Sequence, residues 1–173
     1  MNLGILKTYY KLLGKPHYFH IRTGLLLLNF IVQRIFRINS EVPFSVHYTS
    51  TVKGYENMKL GKNIAGVMAV SAGANIQAFS DTTLEIGDDT IWAHNVCIIT
   101  ANHDVNDHTK YQCASVKIGK NCWLGNNVTI LPGIELGDHV AVGANSVVTK
   151  SFGNNIVIAG NPAKIIRELN PNS

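Results

Sequence analysis

From about residue 46 to residue 160 the aliphatic side chains of this chain recur every six positions. The run is unbroken at Ile118, Leu124, Ile130, Leu136, Val142 and Val148. Glycine follows directly at positions 119, 125, 137 and 143, and a second inward set falls four residues after each aliphatic, at Cys122, Val128, Ile134, Val140 and Ser146. A six-residue unit with two inward side chains describes a short strand and a corner. Corners suit residues that tolerate positive φ, which fits Asn121, Asn126, Asn127 and Asn145. The same step runs upstream through Leu60, Gly66, Ala72 and Ala78, then, after a two-residue slip, through Ile86, Trp92 and Ile98, with Val46 and Val52 as its first members. At three units per triangular turn these positions predict about five coils of a parallel β-helix, an all-β solenoid. General crossover chirality favours a right-handed coil.

Before residue 46 the period is helical. Lys7, Lys11 and Lys15 form an i, i+4 stripe on a first helix that Gly14 and Pro16 would end. Gly24 to Ile38 reads as a second helix, with Arg22, Asn29, Gln33 and Arg37 on one stripe and Leu25, Leu28, Val32 and Ile35 opposite. The expectation is that the apolar stripe packs on the body, a basic monolayer-surface anchor being the sharper reading. Residues 1–40 hold six Lys and Arg and no Asp or Glu. At the other end, Asn161 as N-cap and Pro162 at the first helical position predict a short closing helix through Arg167. The organisation is thus a helical cap at 1–45, a repeat body at 46–160 with an extruded loop at 100–115, and a closing helix and tail at 161–173.

Composition narrows the function. Only 15% of residues are charged while 46% are hydrophobic, the reverse of a disordered chain. The net charge of +4 comes without a dense basic run, which argues against a nucleic-acid binder. Three cysteines, Cys97, Cys113 and Cys122, lack CxxC spacing, so neither a disulfide framework nor a zinc knuckle follows, and a reducing, cytoplasmic compartment fits. Gly24 to Ile38 is too short and too charged to span a bilayer, which takes roughly 20 mostly apolar residues.

Between Ile98 and Ile118 the six-step is interrupted by Thr100 to Ser115, TANHDVNDHTKYQCAS. An insertion of this length must leave the coils as a loop, and such loops are commonly functional. It carries His103, Asp104, Asp107 and His108, and a histidine is suited to general-base work near neutral pH.

The run from Ile118 with its CWLG, ILPG, VGANSVVTK and GNPAKIIR elements resembles the hexapeptide-repeat acyltransferases, in particular the maltose and galactoside O-acetyltransferases and those of bacterial polysaccharide gene clusters. The resemblance covers roughly residues 46 to 169. It implies a left-handed β-helix, a homotrimer with active sites at subunit boundaries, and acetyl-CoA as co-substrate with no metal required. The general base on the extruded loop of those families corresponds to His103. The acetyl-CoA groove corresponds to Ala93, Asn126, Ala144, Thr149, Lys150, Lys164 and Arg167, with Trp123 at its acceptor end and Asp81 as the nearest acceptor-binding counterpart. Lys164 stands where the family often has Arg, which weakens bidentate phosphate recognition without removing the charge.

The implied reaction is O-acetyl transfer to a hydroxyl of a sugar or glycan intermediate. His103 Nε2 would take the hydroxyl proton during direct attack on the thioester, with a backbone N–H for the oxyanion and Asp104 or a carbonyl orienting the imidazole. The basic N-terminal helices favour the inner face of the membrane and a lipid-linked acceptor. Two other classes stand beside this reading. One is a zinc lyase similar to the γ-class carbonic anhydrases, with His94, His103 and His108 as ligands. The other is a non-enzymatic scaffold using the repeat surface.

Overall fold

The computed structural model describes residues 20–169. The Lys7, Lys11, Lys15 stripe lies outside them. After helix α1 (Thr23–Phe30) and a π-helical turn at Ile31–Ile35, the chain winds through three parallel sheets in rotation. The first pass is β1 (Thr51–Lys53), β2 (Met58–Leu60) and, in place of a third strand, helix α2 (Ile64–Val70). The second is β3 (Asn75–Gln77), β4 (Leu84–Ile86) and β5 (Ile91–Trp92). The third starts with β6 (Cys97–Ile99), leaves the body as the hairpin β7 (Ala101–His103) and β8 (Tyr111–Cys113), and returns with β9 (Val116–Ile118) and β10 (Trp123–Leu124). Then come β11 (Thr129–Ile130), β12 (Glu135–Leu136) and β13 (Val140–Val142), followed by β14 (Val147–Val148), a bridge at Phe152, and β15 (Ile156–Gly160) with β16 (Ala163–Glu168) folded back on it.

The six-residue step is the inward register of these strands. Val52, Ile76, Ile98, Ile130 and Val148 stack in the first sheet, one per pass. Leu60, Ile86, Ile118 and Leu136 stack in the second, and Trp92, Leu124, Val142 and Ile158 in the third. Nearly all are buried in one continuous apolar cluster. Burial of such columns is the main stabilising term, and a buried Ile to Ala change in one costs about 2–5 kcal/mol. At the corners Asn121, Asn127 and Asn145 take left-handed φ of 53°, 57° and 59°. Asn126 does not share that conformation; its side-chain oxygen accepts the His94 N–H at 3.0 Å.

Three expectations are corrected. The unit expected at Gly66 is helix α2, because Ile64, Val67 and Met68 have i, i+3, i+4 spacing and are all buried. The closing helix at 161–167 is instead strand β16, antiparallel to β15 after a turn at Asn161-Pro162, where it covers the open edge of the third sheet. Most telling, the cap helix is inverted. Its buried side chains are Leu26, Asn29 and Gln33, while Leu27, Leu28 and Ile35 are exposed.

The inversion follows from the chain after it. Residues 39–48 are irregular and offer main-chain groups without strand partners, which must be satisfied if buried. Gln33 Nε2 lies within hydrogen-bond reach of the Asn39, Val42 and Phe44 carbonyls at 3.0, 2.9 and 2.9 Å, and its Oε1 accepts the Val46 N–H. Asn29 Nδ2 donates to Ser45 Oγ and to the Ala69 carbonyl of α2, both at 3.0 Å. The amide stripe is therefore the one that docks.

Candidate active site

Two edges of the prism carry the candidate residues. The edge between the third and first sheets is built of small side chains. On the third sheet Ile91, Trp123, Ala141, Val157 and Arg167 lie in one register row, across β5, β10, β13, β15 and β16. Trp123 and Arg167 are three strand spacings apart, about 14 Å. The adjoining row is Ala93, Gly125 and Gly143, each donating its N–H to the next strand, and it continues through Ala159 to its partner Lys164. A Cβ at Gly143 would sit 2.8 Å from the Ala159 Cβ, and one at Gly125 would sit 2.7 Å from Ala144 N, so the close spacing of strands here requires glycine.

A groove of about 620 Å³ runs along this edge, lined by Trp92, Ala93, His94, Trp123, Asn126 and Ala144 among others. Thus Ala93, Trp123, Asn126 and Ala144 line one groove. Trp92 had been read only as a core position. Its ring is buried, yet Nε1 finds no acceptor among the described residues while the indole lines the groove. His94 was also missed as a groove residue; its Nδ1 accepts the Ala72 N–H at 3.0 Å. Lys164 and Arg167 are exposed at the far end of the same rows.

The edge between the first and second sheets carries the rest. The hairpin leaves at Thr100, which is buried and holds the preceding corner through Phe79 N at 2.8 Å and Thr82 Oγ1 at 2.6 Å. Tyr111 bridges hairpin and body, with ring centroids 5.4 Å from Phe79 and 4.6 Å from His103. His103 is exposed and its Nδ1 lies 2.8 Å from the His108 carbonyl. A carbonyl only accepts, so Nδ1 is the protonated nitrogen and Nε2 carries the free lone pair. Asp104 does not touch the imidazole. Its carboxylate accepts the Asn106 and Asp107 N–H groups and Gln112 Nε2, and the Asn106 N–H leads the interactions that hold it below the usual Asp range. Asp107 is lowered in the same way, first by the Thr109 hydroxyl and then by Lys110.

Asp81, an exposed corner residue with φ of 64°, shares this edge, as do Thr149 and Lys150, whose Nζ lies 5.5 Å from the centre of the Phe152 ring. Within one chain these residues do not meet the groove. Nor do the three histidines of a zinc site assemble: His94 belongs to the groove edge, His103 and His108 to the hairpin, and among the described residues no three His, Cys, Asp or Glu side chains cluster for a metal.

The chain is similar in sequence and fold to known proteins. A profile described as bacterial transferase hexapeptide (six repeats) matches residues 115–150. An Escherichia coli K12 protein named as a lipopolysaccharide-biosynthesis O-acetyl transferase, WbbJ, is 35% identical over 151 residues, 78% of this chain and 75% of its own length. The chain belongs to the hexapeptide-repeat transferase family. The galactoside O-acetyltransferase of Escherichia coli K12 is 35% identical over 118 residues, 66% of this chain, and the match spans 55% of that relative's length. A solved galactoside acetyltransferase in complex with coenzyme A superposes with a TM-score of 0.60 at 25% identity, covering 88% of this chain and 86% of that one. Among the described residues no helix is long and apolar enough to cross a membrane.

Proposed function

We propose that this protein is an acetyl-CoA-dependent O-acetyltransferase acting on a hydroxyl of a sugar or glycan intermediate, with His103 as general base. The repeat body is then a left-handed β-helix of about five coils, and the working unit is a homotrimer. The observation that carries this reading is the separation of two complementary half-sites on different edges of one prism. One edge has a small-residue groove ending in Lys164 and Arg167; the other has an imidazole with Nε2 free and, at other passes along the same edge, Asp81, Thr149 and Lys150. Threefold assembly brings the groove edge of one copy against the hairpin edge of the next, completing the site between them.

In that site the pantetheine arm of acetyl-CoA lies over Ala93, Gly125, Asn126 and Ala144, where small side chains leave room. Lys164, Arg167 and, from the neighbouring copy, Lys150 meet the phosphates. His103 Nε2 accepts the proton of the acceptor hydroxyl as its oxygen attacks the thioester carbonyl carbon. The tetrahedral intermediate collapses by breaking the carbon–sulfur bond, and the imidazolium returns the proton to the coenzyme A thiolate. The products are the acetyl ester and free coenzyme A. Trp123 and Asp81 are the acceptor-side candidates, the indole face suiting the apolar side of a sugar ring.

Mixed trimers test the reading. A His103→Ala chain and an Ala144→Trp chain, each inactive alone, are co-expressed and assayed by thiol release from acetyl-CoA with a panel of glycan acceptors. Recovered activity is expected, since some boundaries then pair an intact groove with an intact imidazole. Two inactive variants that never complement, in a verified mixed assembly, would refute the shared site.

A further inference from the structure

The helix that closes the end of the prism buries Asn29 and Gln33 beside Leu26 and leaves most of its large apolar side chains exposed. Asn29 and Gln33 are spent on the Ala69, Asn39, Val42 and Phe44 carbonyls, so this element cannot turn its other face inward without breaking that set. Leu27, Phe30, Ile35, Phe36 and Ile38 are left at least 50% exposed, a contiguous stretch of large apolar side chains that the described body does not cover. Exposed apolar surface of this kind marks an interaction site.

Charge selects the partner. Arg22, Arg34 and Arg37 border the apolar side chains and are exposed, and residues 20–40 contain no Asp or Glu. Residues 1–19 add Lys7, Lys11 and Lys15, again without an acid, so the positive charge is not neutralised from within the segment. A second copy of the same face would bring like charges together. An anionic partner with an apolar interior satisfies both features, and an anionic lipid bilayer has both: headgroup phosphates at the level of the arginines and acyl chains beneath. The helical stretch from Thr23 to Ile35 is too short to cross that bilayer, so it lies in the interface plane.

We propose that Leu27, Phe30, Ile35, Phe36 and Ile38, bordered by Arg22, Arg34 and Arg37, form a docking surface for an anionic lipid bilayer. Arginine stems lie along the apolar face while their guanidinium groups reach the phosphates. The Arg34 guanidinium already donates to the Ser40 and Val42 carbonyls at 2.8 and 3.2 Å, so Arg22 and Arg37 carry the phosphate contacts while Arg34 adds its charge. The inference rests on this helix alone and does not require the transfer reaction.

Vesicle flotation of the purified full-length chain tests it, with phosphatidylcholine alone and with about a third phosphatidylglycerol. The chain is expected to float with the anionic vesicles at least about tenfold more than with the neutral ones, and raised salt should release it, because screening weakens the arginine contacts. The variant Leu27→Glu, Ile35→Glu, Phe36→Glu should stay in the aqueous phase with unchanged melting temperature and unchanged mass by light scattering. Arg22→Glu with Arg37→Glu, at two exposed positions, should lower anionic binding about 25-fold or more, roughly fivefold per cation. The proposal is overturned if the native chain does not float, if either variant floats as well as the native chain, or if the triple variant changes the oligomeric mass, which would make this face a contact between copies. A large loss of melting temperature in the triple variant with no flotation of the native chain would equally overturn it, assigning the face to residues 1–19.

Discussion

The Nδ1 of His103 donates to the main-chain oxygen of His108, 2.8 Å away across the hairpin turn. That bond fixes the tautomer and aims Nε2 outward without using a carboxylate. A general base set in this way should be lost entirely on replacement by a residue that keeps the bond but not the basicity. His103→Gln is expected to lower kcat by at least about a hundredfold, the usual size of general-base catalysis, with the KM for acetyl-CoA unchanged. Steady-state thiol-release kinetics check this, and an unchanged kcat removes His103 from the chemistry. Asp104→Ala should lower kcat less and change the melting temperature little, since Asp104 is half-buried and its three hydrogen bonds brace only the turn.

Trp92 gives an independent handle on the groove. Its Nε1–H is buried without an acceptor among the described residues, a state that ordinarily costs about 1–3 kcal/mol. A ligand oxygen in the groove would relieve it. Trp92→Phe retains most of the ring packing and removes the donor, so the free protein should melt at an equal or higher temperature while the KM for acetyl-CoA or for the acceptor rises severalfold. A variant that loses stability and keeps both KM values would show that the indole serves packing alone.

The body of the prism was legible because one physical requirement repeats: each pass buries an aliphatic against the one below, and Ile98, Ile130 and Leu136 fall where the six-step puts them. The hairpin that carries His103 was legible because an insertion must leave such a body. Three features were not. Helix α2 hides in the repeat because Ile64 and Val70 also fit the six-step, although Ile64, Val67 and Met68 carried the helical signal. Strand β16 was misread because Asn-Pro followed by apolar residues suits a helix start and a hairpin turn alike, and the open edge of β15 that decides between them is a tertiary fact. The cap inverted because Asn29 and Gln33 answer carbonyls 6 to 40 residues away, which no local period encodes. The two half-sites lie on different edges of the chain, and under the proposed trimer their contact belongs to a neighbouring copy, which no pattern along one sequence encodes.

The inverted cap predicts an unusual mutational asymmetry. Gln33→Leu places an apolar residue at a 4% exposed position, which in an ordinary amphipathic helix would stabilise. Here it strands the Phe44 carbonyl and the Val46 N–H, and takes one of two donors from the Asn39 and Val42 carbonyls, which the Val42 N–H and Arg34 also serve, so a loss of about 2–3 kcal/mol is expected. Ile35→Gln, on the exposed face, should change stability by less than about 0.5 kcal/mol. Denaturant midpoints measure both, and a Gln33→Leu chain as stable as the native one would mean those carbonyls find other partners.

His47 ties the cap to pH. It is buried, its main-chain N–H donates to the Met68 carbonyl at 2.9 Å, its ring stacks on Tyr48, and its Nδ1 lies 2.9 Å from the Thr49 hydroxyl and accepts the Thr49 N–H at 3.3 Å. Burial first, and the positive charge of His94 second, push its pKa below the ordinary value of 6.5. The folded form therefore resists a proton that the unfolded chain takes up. The stability it contributes is complete above about pH 6.5 and erodes as the pH falls from there toward the lowered folded value. Protonation of Nδ1 would also displace the Thr49 N–H. The urea midpoint of the native chain should fall between pH 7.5 and about pH 5.5, and His47→Asn should flatten the part of that fall that His47 causes. Parallel pH profiles for the two proteins would show that His47 does not couple the cap to protonation.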